Sequence, residues 1–175
     1  LGTYASCLGQ EAISSAIGFS LQNDDVFIPY YRDQAAQMLR GMSMRSILQF
    51  WGGDEWGSHH TSAFDLPACI PIATQVTHAA GVAAAIKLRH QQQAALTTCG
   101  DGASSRGDFY EALNLAGVWH LPLVVVINNN QWAISVPLSQ QTASATLAQK
   151  AVAAGITGIR VDGNDFLALM AVLDE

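Results

Sequence analysis

Apolar and polar positions along the chain follow two periods, one typical of helices and one typical of buried strands. Apolar residues at every third or fourth position predict helices over the ranges 9–21, 33–39, 43–51, 74–91, 107–119, 146–154 and 165–175. Apolar runs rich in β-branched residues predict strands over 94–99, 123–127 and 158–161. Strands that alternate with helices predict an α/β fold, in which a parallel sheet carries helices on both faces.

The predicted helices dominate the amino-terminal third of the chain, and a long segment without a clear period follows them. This segment, 52–71, is rich in Gly, Ser, His and Pro. A loop of this length inside a compact chain is usually functional or mobile. We therefore expect 52–71 to form a wall of a site.

The composition narrows the classes of partner. Half of the residues are hydrophobic and 13% are charged, which favours a surface that is partly covered by another subunit. The net charge is -6, and the eight Lys and Arg residues are scattered rather than clustered. No basic stripe is available for nucleic acid or an anionic membrane, so we exclude both as partners.

The cysteines and the chain ends indicate the compartment and the completeness of the chain. Cys7, Cys69 and Cys99 are odd in number and lack CxxC spacing, so we expect small buried thiols in a reducing compartment. The sequence contains no secretion signal and no apolar run of 18 residues, and we predict a cytoplasmic location. Because it starts without Met and ends within a helical pattern, we expect 1–175 to be one domain truncated at both ends.

Two turns follow the central pair of predicted strands. Asp101 lies in Gly-Asp-Gly after the first strand, and Asn130 ends the Asn triplet after the second. Parallel strands joined by one crossover helix end at the same edge of a sheet, where α/β folds bind ligands. Carboxylate and amide oxygens suit a small divalent cation that keeps phosphate oxygens and water in its shell, and the start of helix 107–119 suits a phosphate beside Gly102. The alternative is that Asp-Gly and Asn-Asn are ordinary turn formers.

Several motifs resemble those of a known family. Gly-Asp-Gly, followed 29 positions after Asp101 by Asn130 (130 - 101), is similar to the thiamine diphosphate signature. Five further segments resemble the α subunit of the E1 component of 2-oxo acid dehydrogenase complexes. They are GQEA at 9–12, YYRD at 30–33, PIATQ at 71–75, GDFYEALN at 107–114 and NNQWAIS at 129–135. The segments YYRDQA at 30–35 and WGGDE at 51–55 look most like bacterial pyruvate-type members of this family.

The resemblance implies two cofactors, thiamine diphosphate and Mg²⁺, and a residue set for each. The implied metal ligands are the side chains of Asp101 and Asn130 and the main-chain carbonyl of Trp132. The implied diphosphate contacts come from Gly102, Ala103, Tyr31 and Arg32. Taken without the family, Arg32 fits a solvated charge at a helix start.

The resemblance also implies contacts to the organic part of the cofactor. Ile72 matches the bulky apolar position that supports the bent cofactor, and Ile70 lies where main-chain groups meet the aminopyrimidine. Without the family, Ile72 is simply a core residue. His59 and His60 are candidates for substrate binding or proton relay, and the alternative is that both are surface residues.

The implied function is that of the α chain of an α₂β₂ pyruvate dehydrogenase E1, which passes an acetyl group to the lipoyl domain of E2. The family's proton-donating Glu belongs to the β subunit, so Glu11 is expected to be a helix or interface residue. A cofactor-holding His loop lies beyond residue 175 in the family, so these residues alone are expected to hold half a site.

Two alternatives remain at this stage. One is the same apparatus acting on a branched-chain or acetoin-type substrate, since such pockets differ by a few side chains. The other is a non-catalytic nucleotide-binding module, which the absence of GxGxxG and GxxxxGK[ST] motifs disfavours.

Overall fold

Three parallel strands form the centre of the molecule, in a computed structural model that describes residues 3–59 and 62–174. They are β1 (Val26–Ile28), β2 (Ala95–Gly100) and β3 (Leu123–Asn128), in the order β1-β2-β3. Val26 pairs with Ala95 and Ala95 with Leu123, and the β2/β3 register runs to Gly100 opposite Asn128. The predicted parallel α/β sheet is confirmed.

Helices connect and cover these strands. They are α1 (Glu11–Ser20), α2 (Gln34–Leu39), α3 (Met44–Trp51), α4 (Thr74–Leu88), α5 (Gly107–Trp119), α6 (Leu138–Gln141), α7 (Gln149–Ala153) and α8 (Phe166–Leu173). Short 3₁₀ helices span Glu55–Ser58 and Asp101–Ser105, and β4 (Trp132–Ala133) and β5 (Val136–Pro137) form a hairpin. Each predicted helix contains an observed one. Within the described residues, no helix has the length and apolarity needed to cross a bilayer.

Side chains of β2 alternate between the two faces of the sheet and are buried on both. Ala95 and Cys99 pack with residues of α4 and α5, including Ala79 and Phe109. On the other face, Leu96 packs in a cluster with members of α1, α2 and α8. Helices therefore cover both faces, as predicted, and the strand order brings the ends of β2 and β3 to one edge.

The two outer edges of the sheet differ from the sequence prediction. The three-residue β1 lies in the part that was predicted to be helical, and this prediction missed it. The predicted strand over 158–161 is wrong: these residues have no ladder partner and Ile159 is 48% exposed. Apolar residues favour an extended chain, but a strand also needs a neighbour to accept its hydrogen bonds. A groove of about 1450 Å³ separates β3 from this segment.

The outer edge of β1 is covered by residues 64–69, the end of the long segment that was predicted to be a loop. Phe27 donates its N–H to the Phe64 carbonyl at 3.0 Å, and Leu66 donates back to Phe27 at 2.9 Å. Isolated parallel bridges join Phe27 to Asp65 and Tyr30 to Cys69. This part of 52–71 is therefore an irregular edge segment rather than a free loop.

A buried ion pair attaches this segment to the end of α2. The Arg40 Nε lies 2.6 Å from Asp65 Oδ1, and the two side chains are 6% and 0% exposed. Arg40 also donates to the carbonyls of Gln22 and Asp25 in the turn before β1. One guanidinium therefore links three segments around the edge strand.

Replacing Arg40 with Met should lower the free energy of unfolding by about 3–5 kcal/mol, because the guanidinium of a buried ion pair is removed together with its hydrogen bonds to two carbonyls. Urea unfolding followed by circular dichroism measures the change. The matched control is Arg106→Met, since the Arg106–Asp108 pair is 57% and 45% exposed and is worth about 1 kcal/mol or less. Equal losses in the two variants would contradict the structural role assigned to Arg40.

Candidate functional site

Two polar turns leave the carboxyl edge of the sheet side by side. Because Gly100 pairs with Asn128, the segments that follow them begin at neighbouring positions. The first forms the 3₁₀ helix Asp101–Ser105, hereafter the 101–105 turn, and the second leads through Asn129 and Asn130 into β4. The residues of the two-part signature therefore lie at the same edge.

The Asp101 side chain is buried, with 1% of the residue exposed. Its Oδ2 accepts a hydrogen bond of 2.8 Å from Gln141 Nε2, which also donates to the Val136 carbonyl. Within 3–59 and 62–174, no Lys, Arg or His pairs with this carboxylate. A buried carboxylate without a cation is costly, so the position has the chemistry of a metal ligand.

The loop after β3 contacts the 101–105 turn directly. A Cβ placed on Gly102 would lie 2.6 Å from the Cβ of Ala133, so the close approach requires glycine at this position. Asn130 Oδ1 accepts from the Trp132 N–H at 3.0 Å, which folds the loop back on itself. Asn130 and Trp132 are exposed, in contrast to Asp101.

Tyr31 and Arg32 leave the sheet at the same edge, after β1. The Arg32 guanidinium carbon lies 5.2 Å from the centre of the Tyr31 ring, and Arg32 Nη1 donates to the Ser6 carbonyl. No hydrogen bond, ion pair or ring contact in the described part of the chain joins either side chain to the 101–105 turn. The structure brings Asp101, Gly102 and Ala103 to the loop after β3, and places Tyr31 and Arg32 beside the amino-terminal segment.

Ile70 and Ile72 lie on the surface between the edge segment and α4. Their side chains are 48% and 43% exposed, so the alternative interpretation of Ile72 as a core residue is wrong. The chain turns sharply after them, because Ala73 is buried with a φ of 70° immediately before α4. A non-glycine residue in the left-handed region is uncommon and is often found at functional positions.

His59 is exposed, and its ring stacks on Trp56 at 4.9 Å. This position agrees with the surface interpretation and does not test substrate binding. His60, the other histidine candidate, lies outside the described residues. Glu11 is exposed in the first turn of α1.

A buried polar network behind the two turns was missed by the sequence analysis. The Asn128 Nδ2 donates to the Tyr30 hydroxyl at 2.7 Å, and that hydroxyl donates to Gln10 Oε1 at 2.9 Å. Gln75 donates to the Thr98 carbonyl at 2.8 Å. The available sequence signal was Asn128, a polar residue directly after the apolar run 123–127; Tyr30 gave no comparable signal, because β1 was not predicted.

Asp33 belongs to the same network and is completely buried. Its Oδ2 accepts from the Tyr30 N–H at 3.0 Å and from the Thr98 hydroxyl, whereas Oδ1 has no hydrogen-bond partner among the described residues. Burial raises the pKa of Asp33 to about 7, against the two hydrogen bonds, which lower it. The carboxyl is therefore held partly protonated near neutral pH.

The Asp33→Asn variant should show a weaker dependence of unfolding free energy on pH. The folded-state pKa of Asp33, about 7, lies above the ordinary value of 3.8. The stability that this group contributes is therefore complete below about pH 4 and is lost as the pH rises through about 7. Urea unfolding at intervals from pH 4 to 8 measures the effect, and parallel curves for both proteins would contradict it.

The cysteines only partly follow the prediction that they are buried. Cys99 is buried, and burial raises its pKa to about 12, aided by the nearby carboxylates of Asp33 and Asp101. A thiol in this state is not a nucleophile at neutral pH. Cys7 and Cys69 are half-buried, which corrects the prediction for them, and burial raises the pKa of each.

The residues at the edge fit a cation held together with an anionic ligand rather than a metal held by protein alone. The described residues include no group of three or more His, Cys, Asp or Glu side chains placed to bind a metal. Asp101 offers one buried carboxylate, and Asn130 lies in the neighbouring turn. A cation that takes its other oxygens from phosphate and water needs no more protein ligands than this.

Comparison with known proteins places the chain in one family. The family model of the dehydrogenase E1 component matches residues 1–175. The 3-methyl-2-oxobutanoate dehydrogenase subunit alpha of Mycobacterium tuberculosis (strain CDC 1551 / Oshkosh) is 41% identical over 177 residues, which cover 100% of this chain and 48% of that protein.

Two further relatives carry a different name. The pyruvate dehydrogenase E1 component subunit alpha of Bacillus cereus is 43% identical, over 98% of this chain and 46% of its own length. The protein of the same name from Staphylococcus aureus (strain Mu50 / ATCC 700699) is also 43% identical, over 100% and 48%. The chain spans about half the length of the curated relatives it matches. With a family model matched from end to end and a parallel α/β sheet, this chain belongs to the dehydrogenase E1 component family.

Proposed function

We propose that this chain acts as the α chain of a 2-oxo acid dehydrogenase E1 and binds thiamine diphosphate with Mg²⁺ at the carboxyl edge of the sheet. The observation that carries the proposal is the buried Asp101 carboxylate, which has no cation partner in the described chain. Membership of the E1 family supports thiamine diphosphate as the anionic ligand. Mg²⁺ is proposed from the hard oxygen donors at the edge.

Each residue at this edge has a role in the proposal. Asp101 and Asn130 would bind Mg²⁺ through side-chain oxygens, and Trp132 through its main-chain carbonyl. Gly102 and Ala103 would donate main-chain N–H groups to the diphosphate. A Cβ on Gly102 would lie 2.6 Å from the Cβ of Ala133, so this position stays glycine, and a glycine backbone can approach a ligand closely.

Tyr31 and Arg32 would complete the diphosphate contacts from the first strand. Arg32 would exchange its hydrogen bond with the Ser6 carbonyl for one with phosphate oxygens, for which its planar fork is suited. Ile70 and Ile72 would contact the rings of the cofactor. Their exposure in this structure leaves apolar surface free for such contacts.

The proposed reaction is oxidative decarboxylation of a 2-oxo acid, with transfer of the acyl group to a lipoyl group on E2. When bound, thiamine diphosphate supplies the carbanion chemistry and accepts the electrons released with CO₂. The residues of this chain bind the diphosphate, orient it and exclude water from it. His59 and His60 are proposed, as before, to contact substrate or relay a proton.

The proposed partners are an E1 β subunit, in an α₂β₂ assembly, and the lipoyl domain of E2. Large exposed apolar side chains support a covered surface: Phe19 is 63% exposed and Leu167 is 78% exposed. The exposed position of Glu11 agrees with a proton-donating Glu supplied by the β subunit.

Calorimetry tests cofactor binding. The native protein, purified with its partner subunit, is titrated with thiamine diphosphate and Mg²⁺, and separately with NAD and with ATP. We expect binding of thiamine diphosphate that disappears when EDTA removes Mg²⁺. Tight binding of a nucleotide without a response to thiamine diphosphate would instead support a nucleotide-binding module.

The proposed substrate is pyruvate, and a branched-chain 2-oxo acid is the second candidate. The names of the relatives support both, since two at 43% identity are named for pyruvate and one at 41% for 3-methyl-2-oxobutanoate. A panel of 2-oxo acids assayed with an artificial electron acceptor decides between them. We expect the highest kcat/KM for pyruvate. A clearly higher kcat/KM for a branched-chain substrate would overturn the choice of pyruvate.

A further inference from the structure

Lys150 is a buried lysine that contacts the 101–105 turn at Ser104, whereas Gln141 contacts the same turn at Asp101. It lies in α7 and is 6% exposed. Its Nζ donates to the Ser104 carbonyl at 2.7 Å and to the Tyr110 hydroxyl at 2.9 Å. The same atom lies 5.1 Å from the centre of the Tyr110 ring. One ammonium group thus joins α7, the 101–105 turn and α5.

The charge of Lys150 is not balanced by a carboxylate in the described chain. The ion pairs there involve Arg40 with Asp65 and Arg106 with Asp108, and none includes Lys150. A carbonyl, a hydroxyl and an aromatic ring satisfy its hydrogen bonds but do not neutralise it. A buried cation in this state is costly unless an anion binds nearby.

Through its hydrogen bond with Ser104, Lys150 holds the turn that carries the residues of the proposed site. Ser104 is 1% exposed, and its hydroxyl donates to the Asp101 carbonyl at 2.7 Å. The carbonyl held by Lys150 therefore belongs to the same hydrogen-bonded turn as Asp101, Gly102 and Ala103. Free N–H groups at the start of α5, a helix of 13 residues, add a positive partial charge beside this turn.

We infer that Lys150 is a positioning residue for a metal-bound diphosphate: it fixes the 101–105 turn and supplies a buried positive charge for the anion. The inference rests on the proposed function and extends it to a residue that the family signature does not include. Asp101 would face the cation of the metal–diphosphate pair. Lys150, which donates to the Ser104 carbonyl of the same turn, would balance its anionic part.

The decisive variant is Lys150→Met, which keeps the length of the side chain and removes its charge. In the assembled protein with Mg²⁺, we expect the Kd of thiamine diphosphate to rise by about 10–100-fold, the range typical of supporting residues around a metal site. The affinity for inorganic pyrophosphate, measured by competition, should fall by the same factor, because the lost interaction concerns the diphosphate alone. Lys150→Arg should recover most of the affinity.

The melting temperature of the cofactor-free protein separates this role from a purely structural one. In Lys150→Met, relief of an unbalanced buried charge offsets two lost hydrogen bonds, so we expect little change without cofactor. The rise in melting temperature on adding thiamine diphosphate should shrink. Lys87→Met is the matched control, since Lys87 is exposed and donates to the Trp119 carbonyl at the end of α5.

Two results would overturn the inference while leaving the proposed function intact. One is a Kd in Lys150→Met within threefold of the unchanged protein. The other is a large fall in the cofactor-free melting temperature with equal loss of affinity in Lys150→Arg, which indicates a structural residue. Failure of the unchanged assembly to bind thiamine diphosphate at all would overturn both proposals.

Discussion

The Asp101→Asn variant should lose Mg²⁺-dependent binding of thiamine diphosphate by about 100-fold or more. Under the proposed function, Asp101 is the charged protein ligand of the cation, and it is buried with 1% exposed. Removing one partner of a buried charge pair costs about 3 kcal/mol or more, which corresponds to about 100-fold in Kd. Oxidative decarboxylation should fall in parallel, because too little cofactor is held.

Asn is chosen because it tests charge with little change of shape. Its side-chain oxygen can still accept the hydrogen bond from Gln141, which spans 2.8 Å to Asp101. We therefore expect the unfolding free energy without cofactor to be equal or higher, since an unpaired buried charge is removed. Titration calorimetry with thiamine diphosphate and Mg²⁺ measures the binding.

The control for this experiment is Asp24→Asn. Asp24 is exposed and lies just before β1, at the opposite edge of the sheet from Asp101. We expect its variant to bind thiamine diphosphate with unchanged affinity. If Asp101→Asn bound the cofactor as tightly as Asp24→Asn, Asp101 would not be a metal ligand.

The Gly117→Ala variant should lose about 2 kcal/mol of unfolding free energy. A Cβ at Gly117 would lie 1.9 Å from the Ala154 carbonyl oxygen and 3.3 Å from the Ile156 Cγ2. Backbone atoms must move to admit it, and overpacking of this kind costs about 1–3 kcal/mol or more. The gain in helix propensity, about 1 kcal/mol, offsets only part of this cost.

Gly81→Ala provides the matched control, because Gly81 lies within α4 and a Cβ there meets no atom within 4 Å. We expect it to stabilise the protein by about 0.5–1 kcal/mol through the unfolded state and helix propensity. Urea unfolding of both variants measures the difference. A Gly117→Ala protein as stable as Gly81→Ala would show that α5 and the 154–156 segment are not in close contact.

Hydrogen bonds from several elements hold the 101–105 turn and the strand ends beside it. Gln141 and Lys150 contact the turn at Asp101 and Ser104, while the hydrogen bond from Asn128 to Tyr30 links the ends of β3 and β1, which lie on either side of β2. These hydrogen bonds fix the anchoring part of the site before any ligand is present. The proposed reacting groups, by contrast, belong to exposed residues or to the partner.

Local sequence determined the elements that a short stretch of chain can specify. Apolar periodicity predicted the helices, and β-branched runs predicted β2 and β3 to within one residue at each end: 94–99 became Ala95–Gly100 and 123–127 became Leu123–Asn128. One crossover helix between two such strands already implies a shared edge. The meeting of the Gly-Asp-Gly turn and the Asn triplet at one edge was therefore open to prediction.

Tertiary structure alone decided which segments found partners and which side chains were buried. Val26–Ile28 became a strand because β2 and residues 64–69 flank it, whereas 158–161 pairs with no strand in the described part of the chain. Asp33 and Lys150 are buried, and Gln141 contacts Asp101. Both the burial and the contact depend on residues that are far apart in the chain. Such contacts depend on how whole elements pack, and no local pattern of residues encodes them.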